Sequence, residues 1–398
     1  MSSTCRFEAK LRWAVTILEA DQSGEIRLFP SSYQESRARF RQEFDRVQRL
    51  WPNARLNSHP VGGDTSLTID WMTADALMTQ SRLLIFTTGE HGIEGYVGSA
   101  MLQLFLREFL ARLDPRDTGL LLVHAVNPWG MEHRRRTNAA NVDLNRNFCW
   151  DSAAFNPSLN PEYARLTPLL MPQGPIRSLF LSDLAFVLRL LWSLIAVGPQ
   201  TLRKAALLGQ YRFPQGIYYG GEAWQEETRT MVELYRTCMR EYERILHLDM
   251  HTGYGPRYQM SLVNSCLEPT DSRELIERFE YPWVVKTTPD EFYSIQGDMI
   301  DWVYTLVKNE FPGQRLYSTS FEFGTYGDST LAALRSLRAS ILENQLHWLG
   351  ASLGAQARVK HDFQELFLPE QERWREAAIT NARRALEGIL GVEGFLAR

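Results

Sequence analysis

Two histidines and a glutamate follow predicted strands at places where the side chains of a metal site can gather. His91 comes after the apolar run from Leu83 to Thr88, Glu94 is three residues later, and His251 ends the short apolar run that begins at Leu246. Open α/β sheets bind ligands beyond the carboxyl ends of their strands. A catalytic zinc takes three protein ligands and keeps one position for water. We therefore predict that His91, Glu94 and His251 hold one metal ion.

Each of these short motifs also has a simpler explanation. A His-x-x-Glu pair occurs in surface turns, and a histidine at a strand end is often only a hydrogen-bonded side chain. Asp249 could orient an imidazole ligand or accept a strand-end hydrogen bond. His247 shares a strand face with Asp249 and His251, so the spacing alone does not decide which histidine binds the metal. The Thr-Gly turn directly after His251 favours that residue.

Further polar residues suggest a base and a carboxylate clamp. Glu322 lies in a late apolar strand, where a buried carboxylate needs a partner or a raised pKa and is therefore a candidate base. A solvent-facing glutamate on an edge strand is the alternative. Asn145 and Arg146 are adjacent, and an arginine fork matches a carboxylate in a bidentate manner. A solvated turn would explain the same pair without any ligand.

Alternating patterns of strands and helices predict the element order. An α/β sheet with helices on both faces is expected, since predicted strands and helices alternate along the chain. Predicted strands are 67–71, 82–88, 119–127, 246–250, 258–264 and 316–323. Predicted helices are 33–50, 95–113, 222–245, 272–279, 297–307, 329–349 and 370–390.

One apolar segment, Leu179 to Gly198, raises the question of a membrane. Asp183 and Arg189 interrupt it, whereas a spanning helix needs about 20 nearly uninterrupted apolar residues. We predict a buried or capping helix and no stable membrane span. The pair Arg203-Lys204 that follows leaves a role at a membrane surface open.

Composition limits the remaining classes of function. The 398 residues include 43 basic and 47 acidic side chains, a net charge of −4, with no basic run long enough to indicate nucleic-acid binding. Four widely spaced cysteines without a CxxC pair favour a reducing compartment, and no apolar signal segment is recognised, so a cytoplasmic location is expected. We predict one catalytic domain over 1–398, with a core of about 29–350, a helical insertion at 156–221 and a C-terminal helix at 368–390.

Together the motifs resemble the zinc carboxypeptidase family, and more closely its bacterial branch of proteins of unknown function. Five ordered motifs carry the resemblance, and two further segments around Gly209–Gly216 and Tyr219–Gly221 also match that branch. The motifs are His91-x-x-Glu94, Arg135-Arg136-x-Asn138, Asp143-x-Asn145-Arg146-Asn147-Phe148, Asp249-x-His251-Thr252-Gly253 and Glu322-Phe323-Gly324. The resemblance covers about 29–350.

The resemblance implies both a fold and a set of roles. The expected fold is a mixed, mostly parallel, eight-stranded twisted sheet between helices. One Zn²⁺ per chain would be held by His91, Glu94 and His251, and would activate water for attack on an amide carbonyl. Glu322 would act as the base and Arg135 would stabilise the oxyanion, with Arg134 and Arg136 left open as alternatives. Asn145 and Arg146 would hold the carboxylate of a small peptide or an N-acyl amino acid.

Two departures leave the substrate open. Carboxypeptidases of this family have a mobile tyrosine near the substrate; Tyr293 and Tyr304 lie in the right region, and neither can be assigned. The apolar insertion from Pro175 to Leu208 is absent from the digestive-type enzymes and could select small or acylated substrates. The main hypothesis is a carboxypeptidase-type zinc hydrolase. The alternatives are a deacylase or amidase of small N-acyl amino acids and a zinc- or carboxylate-binding protein without activity.

Overall fold

A single mixed sheet forms the centre of the molecule. The computed structural model describes residues 28–287 and 295–396, and within them eight strands pair in the order β1-β2-β4-β3-β5-β8-β6-β7. The strands are β1 Arg55–Val61, β2 Asp64–Ala74, β3 Arg82–Thr88, β4 Thr118–His124, β5 Arg244–Thr252, β6 Met260–Asn264, β7 Val284–Lys286 and β8 Arg315–Phe323. Four of the seven neighbouring pairs are parallel, which confirms the predicted mixed, mostly parallel, eight-stranded sheet.

Helices cover both faces of this sheet. Strand β3 shows why: Leu84 and Phe86 belong to one buried apolar cluster, whereas Leu83 and Ile85 belong to another. Strands that are buried on both faces have nearly continuous apolar sequences, as β3, β4 and β5 do. The apolar runs therefore identified the central strands correctly.

Thirteen α-helices are assigned within the described residues. They are α1 Tyr33–Gln42, α2 Phe44–Leu50, α3 Gly95–Glu108, α4 Pro128–Glu132, α5 Pro161–Leu170, α6 Leu179–Val197, α7 Pro199–Leu207, α8 Glu226–Met239, α9 Ser272–Phe279, α10 Met299–Glu310, α11 Thr330–Leu349, α12 Leu353–Phe367 and α13 Glu372–Val392. The single helix predicted for 33–50 is in fact two helices, and α12 was not predicted. Strand β1 was also missed, because its mainly polar sequence has no continuous apolar run.

The insertion contains helices α5, α6 and α7, and the prediction that α6 is buried is wrong. Only Leu190 and Ser193 of α6 are buried, while Phe180 is 76% and Ile195 is 87% exposed. In length and composition α6 is the one helix of the described chain that could cross a membrane. An apolar sequence shows that a helix avoids water but does not show which surface covers it. The alternative prediction, a capping helix, fits one face of α6, where Leu190 packs in the apolar cluster of the insertion.

Candidate metal centre and active site

Three neighbouring parallel strands, β3, β5 and β8, bring the predicted site residues to one edge of the sheet. In the register of β5 and β8, His251 pairs with Glu322. His91 follows β3 after a turn at Gly89, where φ is 69° and a Cβ would come within 2.8 Å of that of a neighbouring alanine. Glu94 ends a 3₁₀ turn immediately before α3. The carboxyl ends of parallel strands share an edge, so residues far apart in sequence meet here.

The two imidazoles are held in matching orientations by buried carboxylates. Nε2 of His91 lies 3.0 Å from Oδ1 of Asp143, and Nε2 of His251 lies 2.5 Å from Oδ2 of Asp249. A carboxylate accepts a hydrogen bond from the N–H of the ring nitrogen beside it, so in each neutral imidazole Nε2 carries the hydrogen and Nδ1 carries the lone pair. These Nδ1 atoms face each other at 3.3 Å. Two facing lone pairs need a cation between them, either a proton or a metal ion.

Glu94 completes this set of donors. Its Oε1 lies 3.0 Å from Nδ1 of His91 and its Oε2 lies 3.4 Å from Nδ1 of His251. Ligand atoms about 2.1 Å from a tetrahedral zinc are roughly 3.4 Å apart, and the separations here, 3.0 to 3.4 Å, are close to that value. Burial alone would raise the pKa of Glu94, but the charge of His91 and the hydrogen bonds of both histidines hold it well below its ordinary value. The carboxylate is therefore ionised, as a ligand must be.

Glu90 offers a second, competing carboxylate. Glu90, His91 and His251 also form a buried group whose donor atoms lie within 4.8 Å of one another. We favour Glu94, because Oε2 of Glu90 approaches His251 at Nε2, at 3.5 Å, on the side that Asp249 already occupies. Burial and the nearby charge of Asp249 raise the pKa of Glu90 well above its ordinary value. A neutral acid is a poor metal ligand.

Glu322 lies at the wall of the same site. Its Oε1 accepts a hydrogen bond from the backbone N–H of Tyr254 at 3.0 Å. Two effects raise the pKa of Glu322 to about 8: burial away from water is the larger one, and the negative charge of Glu94 is the second. A carboxylate with a raised pKa is a better proton acceptor than an ordinary surface glutamate. Glu322 therefore lies beside the candidate metal ligands, on the strand next to that of His251.

Of the three consecutive arginines, the structure brings Arg136 to the site. Its Nη1 donates to Oε1 of Glu94 at 3.1 Å and its Nε donates to Oδ2 of Asp143 at 3.0 Å. Arg135 points elsewhere: its Nε donates to Oε1 of Glu343 at 2.7 Å. The assignment of Arg135 to the oxyanion is therefore not supported by this geometry. Backbone bonds fix which arginine faces inward, and the triplet of identical residues gave no signal for that choice.

Of the two residues predicted to hold a substrate carboxylate, Asn145 lines the cavity and Arg146 does not. Asn145 lines the cavity of the site, and its Oδ1 accepts the backbone N–H of Met299 at 3.0 Å. Arg146 is 1% exposed, and its guanidinium donates to the backbone carbonyls of Asn145 and Leu207 at 2.9 and 3.0 Å. A clamp by Arg146 is not supported, since the guanidinium binds the protein's own backbone and does not line the cavity.

A cavity of about 550 Å³ opens above the candidate metal ligands. Tyr218 and Tyr254 are among its lining residues, and Tyr218 has φ of 57°, a backbone conformation rare for a residue with a side chain. Tyr304 is buried instead, and its hydroxyl donates to Oε2 of Glu268 at 2.6 Å. Tyr293 lies outside the described residues. Of the two tyrosines singled out from the sequence, Tyr304 is therefore not at the cavity.

The fold and the site together define an α/β protein with a buried Glu-His-His group that is suited to a metal ion. The profile of the family described as "Protein of unknown function (DUF2817)" matches residues 29–381. The chain belongs to this family. No curated protein gives a significant sequence match.

Solved structures with similar folds have low sequence identity to this chain. Bovine thrombin-activatable fibrinolysis inhibitor, in complex with tick carboxypeptidase inhibitor, is 14% identical with a TM-score of 0.42, over 83% of this chain and 97% of that one. Carboxypeptidase A from Helicoverpa armigera is 12% identical with a TM-score of 0.41, over 83% and 73%. Murein-tripeptide amidase MpaA from Escherichia coli O157 is 16% identical with a TM-score of 0.35, over 74% and 92%.

Proposed function

We propose that this protein is a zinc-dependent hydrolase that cleaves an amide bond next to a free carboxylate. The observation that carries the proposal is the convergence of Nδ1 of His91, Nδ1 of His251 and both oxygens of Glu94, at separations of 3.0 to 3.4 Å. This donor set matches the ligand type and the spacing of a catalytic zinc site. The likeness to carboxypeptidase and amidase structures is consistent with it.

Zinc bound by these three residues would supply a Lewis acid that polarises a carbonyl and acidifies water. Glu322 takes the proton released during attack, and we assign this role to Oε2 because Oε1 is held by the N–H of Tyr254. The same atom then delivers the proton to the departing amine. Arg136 is the cation that we assign to the developing oxyanion, because it lines the cavity beside Glu94.

Peptides and N-acyl amino acids both contain an amide bond next to a carboxylate. For the carboxypeptidase-type activity, the buried position of Arg146 removes the expected partner of that carboxylate. Arg203 of α7 is exposed and lines the same cavity, so it is available for this role. The second candidate, a deacylase or amidase of N-acyl amino acids, is favoured by the apolar wall that the insertion adds to the cavity.

Metal analysis combined with a substrate panel tests the proposal. Protein purified without chelator should contain about one zinc per chain, and His251→Gln should lose it. His247→Gln is the matched control: His247 is buried on the same strand but bonds to Ser318 and Thr87, away from the donor set. The panel should compare dipeptides with N-acyl amino acids. Absence of zinc, or equal retention by both variants, would contradict the site; zinc without turnover would indicate the binding protein.

A further inference from the structure

Two groups of residues line the cavity at the metal centre: the metal ligands with Glu322 and Arg136, and a set of apolar side chains that we call the apolar end. Helices of the insertion and α11 supply these apolar side chains, together with a few polar ones such as Gln200 and Ser336. The apolar end includes Leu190, Leu194, Leu202, Ala206, Leu334 and Leu337. From α6 the wall receives only leucines. An amide carbonyl at the metal centre would therefore place one of its substituents among hydrocarbon side chains.

The size and the lining of this end suit an extended aliphatic group. The whole cavity has about 550 Å³, within the usual range of ligand pockets. Leu190 is 8% and Leu202 is 6% exposed, so these side chains are already packed in the apolar cluster of the insertion and form a fixed wall. Charged lining residues, such as Arg136 beside Glu94 and Arg203 on α7, supply positive charge for the polar part of a substrate.

We propose that the preferred substrates are amides whose acyl side is a hydrocarbon tail, with the amine side carrying the carboxylate. This inference rests on the proposed amide hydrolase activity and specifies its substrate class. Each buried methylene contributes roughly a fourfold gain in binding. The tail occupies the apolar end between α6, α7 and α11, and the carboxylate lies towards the cations.

A chain-length series tests this substrate class. N-acetyl-, N-hexanoyl- and N-dodecanoyl-alanine, each kept below its micelle concentration, should show kcat/KM rising by about fourfold per methylene until the apolar end is filled. The rise should come mainly from KM, since the tail binds equally in the ground state and the transition state. Equal kcat/KM for all three substrates would overturn the proposal.

A binding measurement separates this proposal from the proposed reaction. Dodecanoate should bind to zinc-free protein in calorimetry, and Leu194→Gln should weaken binding at least tenfold by placing an amide in the apolar wall. Leu331→Gln is the control, because Leu331 on α11 is 77% exposed, does not line the cavity and lies away from the outer face of α6. Leu334→Gln on α11 is a second test if the first variant does not fold. Dodecanoate binding without hydrolysis would refute only the reaction; hydrolysis without tail binding would refute only the tail pocket.

The outer face of α6 carries an independent second proposal. Large apolar side chains on this face are exposed by between 48% and 87%, among them Phe180, Leu184, Leu188, Leu191, Trp192 and Ile195. Soluble monomers rarely expose a continuous apolar patch of this kind, which marks an interaction surface.

Charge indicates what covers this face. Between Pro175 and Leu208 the chain has four basic residues and one acidic residue, in a protein whose net charge is −4. The acidic residue, Asp183, is paired with Arg338. Arg203 lines the cavity, but the segment as a whole is positively charged, and an exposed apolar helix in such a segment fits the interface of a membrane that contains anionic lipid. We infer that α6 lies on such a surface with Trp192 at the lipid boundary.

Vesicle binding tests this surface. The protein should co-sediment with vesicles of phosphatidylcholine and phosphatidylglycerol, more weakly with phosphatidylcholine alone, and Leu188→Glu should reduce binding at least tenfold. Leu353→Glu is the control, since Leu353 is 88% exposed but lies on α12. Equal binding of both variants, or none by the wild type, would overturn the inference. A lipid-free dimer that Leu188→Glu dissociates would instead assign the face to a second copy of the chain.

Discussion

Replacement of Asp249 by asparagine tests whether the imidazole of His251 is set to bind metal through Nδ1. Oδ2 of Asp249 lies 2.5 Å from Nε2 of His251, while Oδ1 accepts the hydroxyl of Thr87 at 2.6 Å. In Asp249→Asn the amide oxygen remains opposite the Thr87 hydroxyl, so the NH₂ group faces Nε2. A donor there favours the tautomer with hydrogen on Nδ1, which has no lone pair for a metal.

The expected loss follows from the role of such carboxylates. Removing a partner of a ligand histidine typically weakens metal binding about 10- to 100-fold. We expect a loss near 100-fold, because the asparagine amide favours the wrong tautomer of His251 and also lacks the negative charge of the carboxylate. A hundredfold loss corresponds to about 2.7 kcal/mol of binding free energy.

Competition with a chromophoric chelator at neutral pH measures the zinc affinity of both proteins. Long-range ¹H–¹⁵N spectra of the metal-free forms report which ring nitrogen of His251 carries hydrogen. Asp70→Asn is the control, since Asp70 is also a buried carboxylate but pairs with Arg37 and Arg41. Unchanged zinc affinity in Asp249→Asn, with the tautomer unchanged, would refute the orientation argument.

Three further predictions concern the base, the arginines and a buried acid. Glu322→Gln should keep zinc affinity while kcat falls by about 10² to 10⁴, because the amide cannot accept the proton; activity near the wild-type level would remove Glu322 as base. Arg135→Gln should reduce the free energy of unfolding, measured by urea titration, by about 3 kcal/mol, because it breaks the buried pair with Glu343, and it should leave kcat unchanged. Arg136→Gln should instead lower kcat in steady-state assays. The reverse pattern would contradict the orientation of the two arginines. Burial raises the pKa of Glu227 to about 7, so this group should contribute a loss of about 3 kcal/mol in stability as pH rises from about 4.5 to 7. Glu227→Gln should remove that part of the pH dependence in urea titrations, and an unchanged pH dependence would disprove the assignment.

Much of the fold could be predicted from local sequence patterns. Apolar runs such as Leu83 to Thr88 mark strands that are buried on both faces, because such strands need apolar side chains at consecutive positions. Strand β1 was missed because edge strands need no continuous apolar sequence. The break between α1 and α2 was also missed, since the helical spacing continues across Glu43.

The candidate site was predictable in its residue types and less so in its orientations. His91, Glu94, His251 and Glu322 meet because each follows or ends a strand of one parallel set. Asp143 was noted in a motif without a role, although a carboxylate near a ligand histidine is a usual orienting partner. No sequence signal distinguished Arg136 from its neighbours, because that choice depends on backbone bonds formed across the fold.

Sequence by itself thus determined the classes of side chain and the strands that carry them, since apolar patterning and the chemistry of a metal site are local properties. Only the tertiary structure decided that both histidines present Nδ1, that Arg146 is withdrawn into the protein, and that α6 turns its apolar face outward. Those outcomes depend on strand register and on packing between distant segments. The direction of a side chain is fixed by its neighbours in space, and these are not its neighbours in the chain.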